Sequence, residues 1–145
     1  MKRICLMLII ILLLFSFSAC TFPCSWEFNH SYEDIVEIKI VDIERIGYPI
    51  SKEQFTVVKE LDISQAKELC EDIASLPMKH LGPNPIEPYR NSFLIVFKNG
   101  EFDIISLCGS SHYIYNANGT LTTDISFLYS NEEAFSQLMD KYLNT

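Results

Sequence analysis

Glycine and basic residues are both scarce in this sequence. Only 5 of the 145 residues are glycine, and no glycine-rich loop of the kind that holds phosphate groups is present. Lysine and arginine number 11 against 19 acidic residues, which gives a formal net charge of −8. Because phosphate contacts require clustered basic side chains, we do not expect nucleic acid as a partner.

Histidine is also rare, and its placement gives no familiar metal-binding spacing. The chain has three histidines, His30, His80 and His112, separated by long intervals. Neither His-x3-His nor Cys-x2-Cys occurs, and the dispersed acidic residues form no calcium-binding loop. From the sequence we therefore expect no metal site and no other cofactor.

The first 19 residues have the anatomy of a signal peptide. Two basic residues are followed by an apolar run at 4–15 and then by the small residues Ser18 and Ala19. The apolar run is shorter than the roughly 20 residues that a membrane-spanning helix needs. We expect residues 1–19 to direct export.

The stretch Phe17-Ser18-Ala19-Cys20 resembles the lipobox of bacterial lipoproteins. The resemblance implies that the Cys20 thiol receives a diacylglyceryl group and that a peptidase cleaves just before it. It also implies an exported protein held at the bacterial cell membrane by fatty acids such as palmitate. The rest of the chain is similar to small bacterial lipoproteins with an α+β domain.

Three other interpretations of the leader remain: a conventional signal peptide cleaved after Ala19, an uncleaved N-terminal anchor, and a chance placement of Cys20. Residues 20–145 keep nine basic against 19 acidic residues, a net charge of −10. An anionic membrane surface repels such a domain, so electrostatic attraction cannot hold it there. A covalent lipid on Cys20 is the attachment that we expect.

The domain is predicted to begin with two paired strands. In residues 32–45 apolar and charged side chains alternate, with Val36, Ile38 and Ile40 on one side. The alternation changes phase after Ile40, which predicts a β-bulge there. Residues 55–61 form a second strand, paired with the first as a hairpin.

A helix and a proline-rich loop are expected next. The helix extends over 62–76, where apolar side chains recur at helical spacing, and Pro77 ends it. The four residues of that apolar stripe are Ala66, Leu69, Cys70 and Ile73.

The loop covers residues 78–91 and combines stiffness with residue types common at interfaces. We expect His80, Ile86, Tyr89 and Arg90 to form a surface for an envelope protein or a small ligand. A loop packed on the core for structural reasons is the alternative.

The dipeptide Asn99-Gly100 predicts a two-residue hairpin turn between strands at 92–98 and 101–108. This turn would fix five pairs: Lys98–Glu101, Phe97–Phe102, Val96–Asp103, Ile95–Ile104 and Leu94–Ile105. One face would then carry the apolar side chains of Phe93, Ile95, Phe97, Phe102 and Ile104.

Short strands at 112–115 and 120–123 are expected after the hairpin, and a capping box starting at Ser130 opens a last helix. The whole chain predicts an α+β fold. We expect one antiparallel sheet of five or six strands, with two helices mainly on one face. Residues 20–31 are expected to be a tether and 32–145 a single domain.

Cys70 and Cys108 are both expected to point into the core, either as a disulfide or as two buried thiols. Cys108 and His112 are also close in sequence, but no nucleophile motif surrounds them, so no catalytic residue is expected. The leading hypothesis is a non-enzymatic binding or interaction module at the cell envelope. A small envelope enzyme using Cys108 and His112, or a purely structural surface protein, are the alternatives.

Overall fold

The computed structural model describes residues 23–43, 55–80, 89–107, 109–115, 121–130 and 132–145. Three residues of the expected sites lie outside these ranges: Cys20, Ile86 and Cys108. The expectations attached to them stay predictions.

All the strands of the described residues join one antiparallel sheet in the order β1-β4-β8-β7-β6-β5-β2-β3. Six strands have five residues or more, and the short β1 and β4 lie at one edge. The strands are β1 (Pro23–Cys24), β2 (Ile35–Ile43), β3 (Phe55–Glu60), β4 (Met78–His80), β5 (Tyr89–Phe97), β6 (Phe102–Ser106), β7 (Gly109–Tyr115) and β8 (Leu121–Ser130). The expected α+β fold with a single antiparallel sheet is confirmed.

Two α-helices cover one face of this sheet, as expected. They are α1 (Ala66–Ser75) and α2 (Glu132–Asn144), and short 3-10 helices occupy Tyr32–Asp34 and Ile63–Gln65. Asp62 is the N-cap of the 3-10 helix that precedes α1, because its carboxylate accepts a hydrogen bond from the backbone N–H of Ser64 at 2.8 Å. None of the described helices has the length and apolar character needed to cross a membrane.

The main core lies between the helices and the sheet face that we call the helix face. That face carries Ile38, Ile40, Phe93, Ile95 and Phe97. Leu69 and Ile73 of α1 and the buried side chains of α2 pack against it, and the ring centroid of Phe93 lies 5.7 Å from that of Tyr142. Three of the four residues in the apolar stripe predicted for the first helix, Ala66, Leu69 and Ile73, are therefore buried in this core.

Strand β2 contains the expected bulge and a second irregularity that the sequence did not predict. Its register against β3 shifts between Ile40 and Val41, which confirms the predicted bulge. Its register against β5 also shifts between Ile35 and Glu37. As a result Ile35 is buried and Val36 is 52 % exposed, so the prediction that Val36 lies on the same side as Ile38 and Ile40 was wrong.

The hairpin between β5 and β6 has a longer turn than the sequence predicted. The Gly100 N–H donates to the Phe97 carbonyl at 2.9 Å, and the Phe97 N–H donates to the Glu101 carbonyl at 2.9 Å. Residues 98–100 therefore form a three-residue loop. Gly100 has a φ of 86°, the left-handed conformation that follows a type I turn in such loops.

This turn shifts the predicted pairing by one residue. Ile95 lies opposite Asp103, and Leu94 lies opposite Ile104, whereas the sequence paired Ile95 with Ile104. A shift of one residue moves every side chain of a strand to the other face. Asp103 consequently lies on the helix face, while Phe102 and Ile104 pack on the opposite face.

The segment before β2 belongs to the fold. Pro23 and Cys24 pair with β4, and Trp26 is only 5 % exposed within the main core. Part of the range expected as a tether, 20–31, is therefore packed against the sheet. A tryptophan in this position buries more apolar area than a linker residue would.

The buried position of Trp26 predicts a stability effect. Trp26→Ala should lower the free energy of unfolding by about 3–5 kcal/mol, because it leaves a large cavity in the core. Tyr32→Ala, at a 40 % exposed position, is the control and should change it by less than about 0.5 kcal/mol. Urea denaturation followed by tryptophan-independent circular dichroism measures both. If the two variants were equally stable, the segment around Trp26 would not contribute to the core and would belong to the tether.

Candidate functional site

Four ionisable side chains meet on the helix face at the end of the sheet where the β5–β6 turn lies. We call His30, Glu101, Asp103 and His112 the polar cluster. Glu101 directly precedes β6 and shares a face with Asp103, and His112 lies opposite Asp103 on β7. His30 is supplied by the segment that follows Trp26. The cluster thus joins three separate parts of the chain.

Hydrogen bonds connect the four side chains in a row. Glu101 Oε2 lies 2.6 Å from His30 Nε2 and 2.9 Å from His112 Nε2. The other ring nitrogen of His112, Nδ1, forms a short hydrogen bond with Asp103 Oδ1. Glu101 is therefore the link between the two imidazoles.

The hairpin turn positions the outer part of the cluster. Asn99 Oδ1 accepts a hydrogen bond from the Glu101 backbone at 3.0 Å, and Asn99 Nδ2 lies 3.4 Å from His30 Nε2. The ring of Phe97 supports His30 from beside, with 4.7 Å between the ring centroids. The turn that sets the strand register therefore also orients Glu101 and His30.

The cluster extends from the core to the surface. The side chains of Asp103 and His112 are 0 % and 3 % exposed, whereas those of His30 and Glu101 are 25 % and 28 % exposed. A ligand arriving from solvent can therefore reach Nε2 of His30 and the Glu101 carboxylate. His112 and Asp103 lie deeper, in the core.

Burial and mutual charge shift the pKa values in the cluster. Burial is the largest influence on Asp103 and raises its pKa, while both imidazoles and the Trp26 indole oppose that rise. Burial acts to lower the pKa of His112, but Asp103 and Glu101 outweigh it and the pKa is raised. For Glu101 burial acts upward, and its two histidine partners outweigh it, so that its pKa is lowered. The two carboxylates thus favour the protonated form of His112.

Two buried polar atoms at the inner end of the cluster have no hydrogen-bond partner among the described residues. They are Trp26 Nε1 and Asp103 Oδ2. The Trp26 indole is nevertheless close enough to the Asp103 carboxylate to lower its pKa.

The cluster presents ligand atoms of a kind that metal ions use. His30 Nε2, Glu101 Oε2 and His112 Nε2 all lie within 4.8 Å of one another. Two imidazoles and one carboxylate form the donor set of several zinc and non-haem iron sites. The sequence argued against a metal because the histidines are far apart along the chain. In the structure His30 and His112 lie close together, so their separation along the chain is no longer an argument against a metal.

His112 has no ring nitrogen available to activate a nucleophile. Its Nδ1 bonds Asp103 and its Nε2 is directed at Glu101. A catalytic base needs one nitrogen within hydrogen-bond reach of the nucleophile. The enzyme hypothesis that paired Cys108 with His112 therefore gains no support from the described residues.

The surface expected to bind a partner is divided between strands and the region outside the described residues. His80 lies on β4, opposite Leu128 of β8, and Tyr89 and Arg90 begin β5. Tyr89 is paired with Ile43, so the start of this segment belongs to the sheet and not to a loop. The partner surface itself stays a prediction.

Cys70, expected either in a disulfide or as a buried thiol, is a half-buried free cysteine on α1. Burial, followed by the nearby negative charges of Asp103 and Glu71, raises the pKa of its thiol to about 11. Because its expected partner Cys108 lies outside the described residues, the pairing stays a prediction.

Sequence reasoning missed three of the four cluster residues, His30, Glu101 and Asp103. One signal was available for Asp103, which is the single charged residue of the strand FDIIS. All five positions of that strand are buried, so a charge there must face other protein groups. Nothing in the sequence indicated that His30 and Glu101 would meet it.

A second concavity lies on the opposite face of the sheet. It has a volume of about 110 Å³ and is lined by Phe55, Val57 and Leu94 with neighbouring side chains. Drug-sized ligands occupy pockets of about 300–1,000 Å³. This concavity is too small for such a ligand, and the polar cluster is the stronger candidate site.

Cys70 should react slowly with thiol reagents. At pH 8 a thiol with a pKa of about 11 is ionised to about 0.1 %, against about a quarter for an unperturbed cysteine. Its more basic thiolate recovers about tenfold of that loss, so we expect iodoacetamide labelling at least about tenfold slower than in denaturant. Mass spectrometry of the Cys70 peptide measures both rates. Equal rates would contradict the burial, and a cross-linked Cys70–Cys108 peptide would establish the disulfide.

The buried pair should couple strongly in a double-mutant cycle. Asp103→Leu or His112→Leu alone should lower the free energy of unfolding by about 3–5 kcal/mol, because each leaves the other side chain buried without its partner. The double variant should regain most of that loss. The exposed pair Lys98–Asp34, with 3.2 Å between Nζ and Oδ1, is the control and should couple by less than about 1 kcal/mol. Additive losses at Asp103 and His112 would contradict a specific pair.

Comparison of the chain with protein-family models gives no match, and comparisons with curated proteins and with solved structures give none either.

Proposed function

We propose that this protein is exported and held at the bacterial cell membrane by a lipid on Cys20, and that its domain is a non-enzymatic binding module. The polar cluster is the observation that carries the binding role. It places two imidazoles and two carboxylates together at the boundary between core and solvent.

The energetics of the cluster support binding over a purely structural role. A buried ion pair is often no more stabilising than apolar side chains of the same size. Here the buried His112–Asp103 pair is continued toward the surface by Glu101 and His30, whose side chains are 28 % and 25 % exposed. Ionisable groups kept in such a setting, with one side open to solvent, are typical of sites that bind a ligand.

The lipid anchor is supported by the leader and by the charge of the domain. The run MKRICLMLIIILLLFSFSAC has a basic start, an apolar centre and small residues before Cys20. The net charge of −10 for residues 20–145 provides no attraction to anionic lipids. Two or three acyl chains on one cysteine are sufficient for firm attachment, whereas one chain is marginal.

In this proposal the lipid on Cys20 would hold the domain close to the membrane. Cys20 is separated from Pro23, the first residue of β1, by two residues. A stretch of that length spans at most about 10 Å. The edge of the sheet formed by β1 and β4 would therefore lie next to the lipid head groups. The folded domain would then keep the polar cluster at a constant distance from the membrane surface.

Substitution of Cys20 tests the anchor. Cys20→Ser should move the protein from the membrane fraction to the soluble fraction, because the thiol that accepts the lipid is removed. Incorporation of radioactive palmitate should be lost in the same variant. Both are measured by fractionation and labelling of cells that express the full chain.

Cys24→Ser is the matched control, since it removes a thiol four residues away. This variant should stay in the membrane fraction and keep its palmitate. The anchor is refuted if Cys20→Ser remains membrane-bound, as it would with an uncleaved N-terminal helix.

A further inference from the structure

We infer that the polar cluster is a binding site for a divalent transition metal ion such as Zn²⁺, held by His30, Glu101 and His112. The inference deepens the proposed binding role by naming the ligand of the same site. It does not depend on the lipid anchor.

The ligand atoms already converge without a change in the backbone. The two nitrogens lie 2.6 Å and 2.9 Å from the same carboxylate oxygen, Glu101 Oε2. In a tetrahedral zinc site, metal–ligand distances of about 2.0–2.2 Å separate neighbouring ligand atoms by about 3.3 Å. To admit the ion, side-chain rotations must widen these two distances by less than about 1 Å and bring the two imidazole nitrogens, which lie within 4.8 Å of each other, to the same separation.

The hydrogen-bond partners explain why a cation suits this position. Asp103 occupies Nδ1 of His112, so a neutral His112 has a lone pair on Nε2 that faces the Glu101 carboxylate. His30 Nε2 likewise faces Glu101 Oε2 and the Asn99 amide, an acceptor and a donor, and cannot satisfy both. A metal ion at the centre accepts electron pairs from both histidine nitrogens and from Glu101.

Charge balance also favours a divalent ion. Glu101 and Asp103 supply two negative charges, and the histidines are neutral when they bind a metal. A divalent cation brings the net charge of the site to zero. A neutral site is favoured here because His112 and Asp103 are buried, and an uncompensated charge is costly in the core.

Asp103 has the position of a second-shell carboxylate. Metal-binding histidines usually donate their other ring N–H to a carboxylate or a carbonyl, which fixes the ring and strengthens the ligand. His112 has this arrangement with a fully buried Asp103. We therefore treat Asp103 as a positioning residue and not as a ligand.

Three protein ligands leave at least one coordination position for water or for an external ligand. His30 and Glu101 are partly exposed, so that position opens toward solvent. Structural zinc sites are usually closed by four protein ligands, whereas sites with exchangeable ligands keep one open. The site is thus suited to reversible binding of the ion.

The test is a titration of the full chain, purified in detergent and treated with a chelator, with Co²⁺ and then with Zn²⁺. We expect one Co²⁺ per chain, a visible absorption band of low-coordinate Co²⁺, and displacement of that band by Zn²⁺. His30→Gln and Glu101→Gln should each weaken Zn²⁺ binding by at least about 100-fold, and Asp103→Asn by about 10- to 100-fold. Glu33→Gln, an exposed position three residues from His30, is the charge-matched control and should bind as the native chain does.

A second measurement needs no variant that could fail to fold. Zn²⁺, but not Mg²⁺, should slow the modification of His30 by diethyl pyrocarbonate in the native chain. The inference is overturned if the native chain binds neither Co²⁺ nor Zn²⁺, or if His30→Gln and Glu101→Gln bind Zn²⁺ as tightly as Glu33→Gln. These results are independent of membrane fractionation, so failure of the metal site and failure of the lipid anchor can be told apart.

Discussion

The left-handed conformation of Gly100 is the constraint on which the candidate site depends. With φ at 86°, this residue closes a three-residue loop and sets the pairing of β5 with β6. A residue with a Cβ atom adopts that conformation at a cost, so glycine makes the loop accessible. The register that follows places Asp103 on the helix face and Glu101 beside it. A two-residue turn would have placed both on the opposite side of the sheet.

The rest of the fold is stabilised by the burial of apolar side chains between the helices and the sheet. The two helices bury their stripes on one face of the sheet, and polar contacts hold their ends. Lys59 Nζ donates to the carbonyls of Tyr142 and Leu143 at 2.9 Å and 3.1 Å, at the C-terminus of α2. Lys141 and the Tyr142 hydroxyl bond Asp72 of α1. These contacts hold the helices against the sheet. The segment that follows β1 adds Trp26 to the same core.

The polar cluster lies where this cover meets the edge of the core. His112 and Asp103 are enclosed by it, while His30 and Glu101 are at its margin. The cluster therefore combines a buried, strongly interacting pair with two side chains that are accessible from solvent. Strand β1 begins three residues after Cys20, so the proposed lipid anchor would keep the domain that carries this cluster near the membrane surface.

The sequence by itself determined the fold class and the position of the main helices and central strands, because apolar periodicity reports which face of a helix or strand is buried. The stripe of α1, the bulge after Ile40 and the antiparallel sheet were all predicted from it. The register of β6 could not be, because this strand is buried on both faces and its apolar pattern fits either pairing. Tertiary structure alone decided that His30, 71 positions from Glu101, would approach it. Long-range packing, which no local spacing encodes, created the only cluster of metal ligands among the described residues.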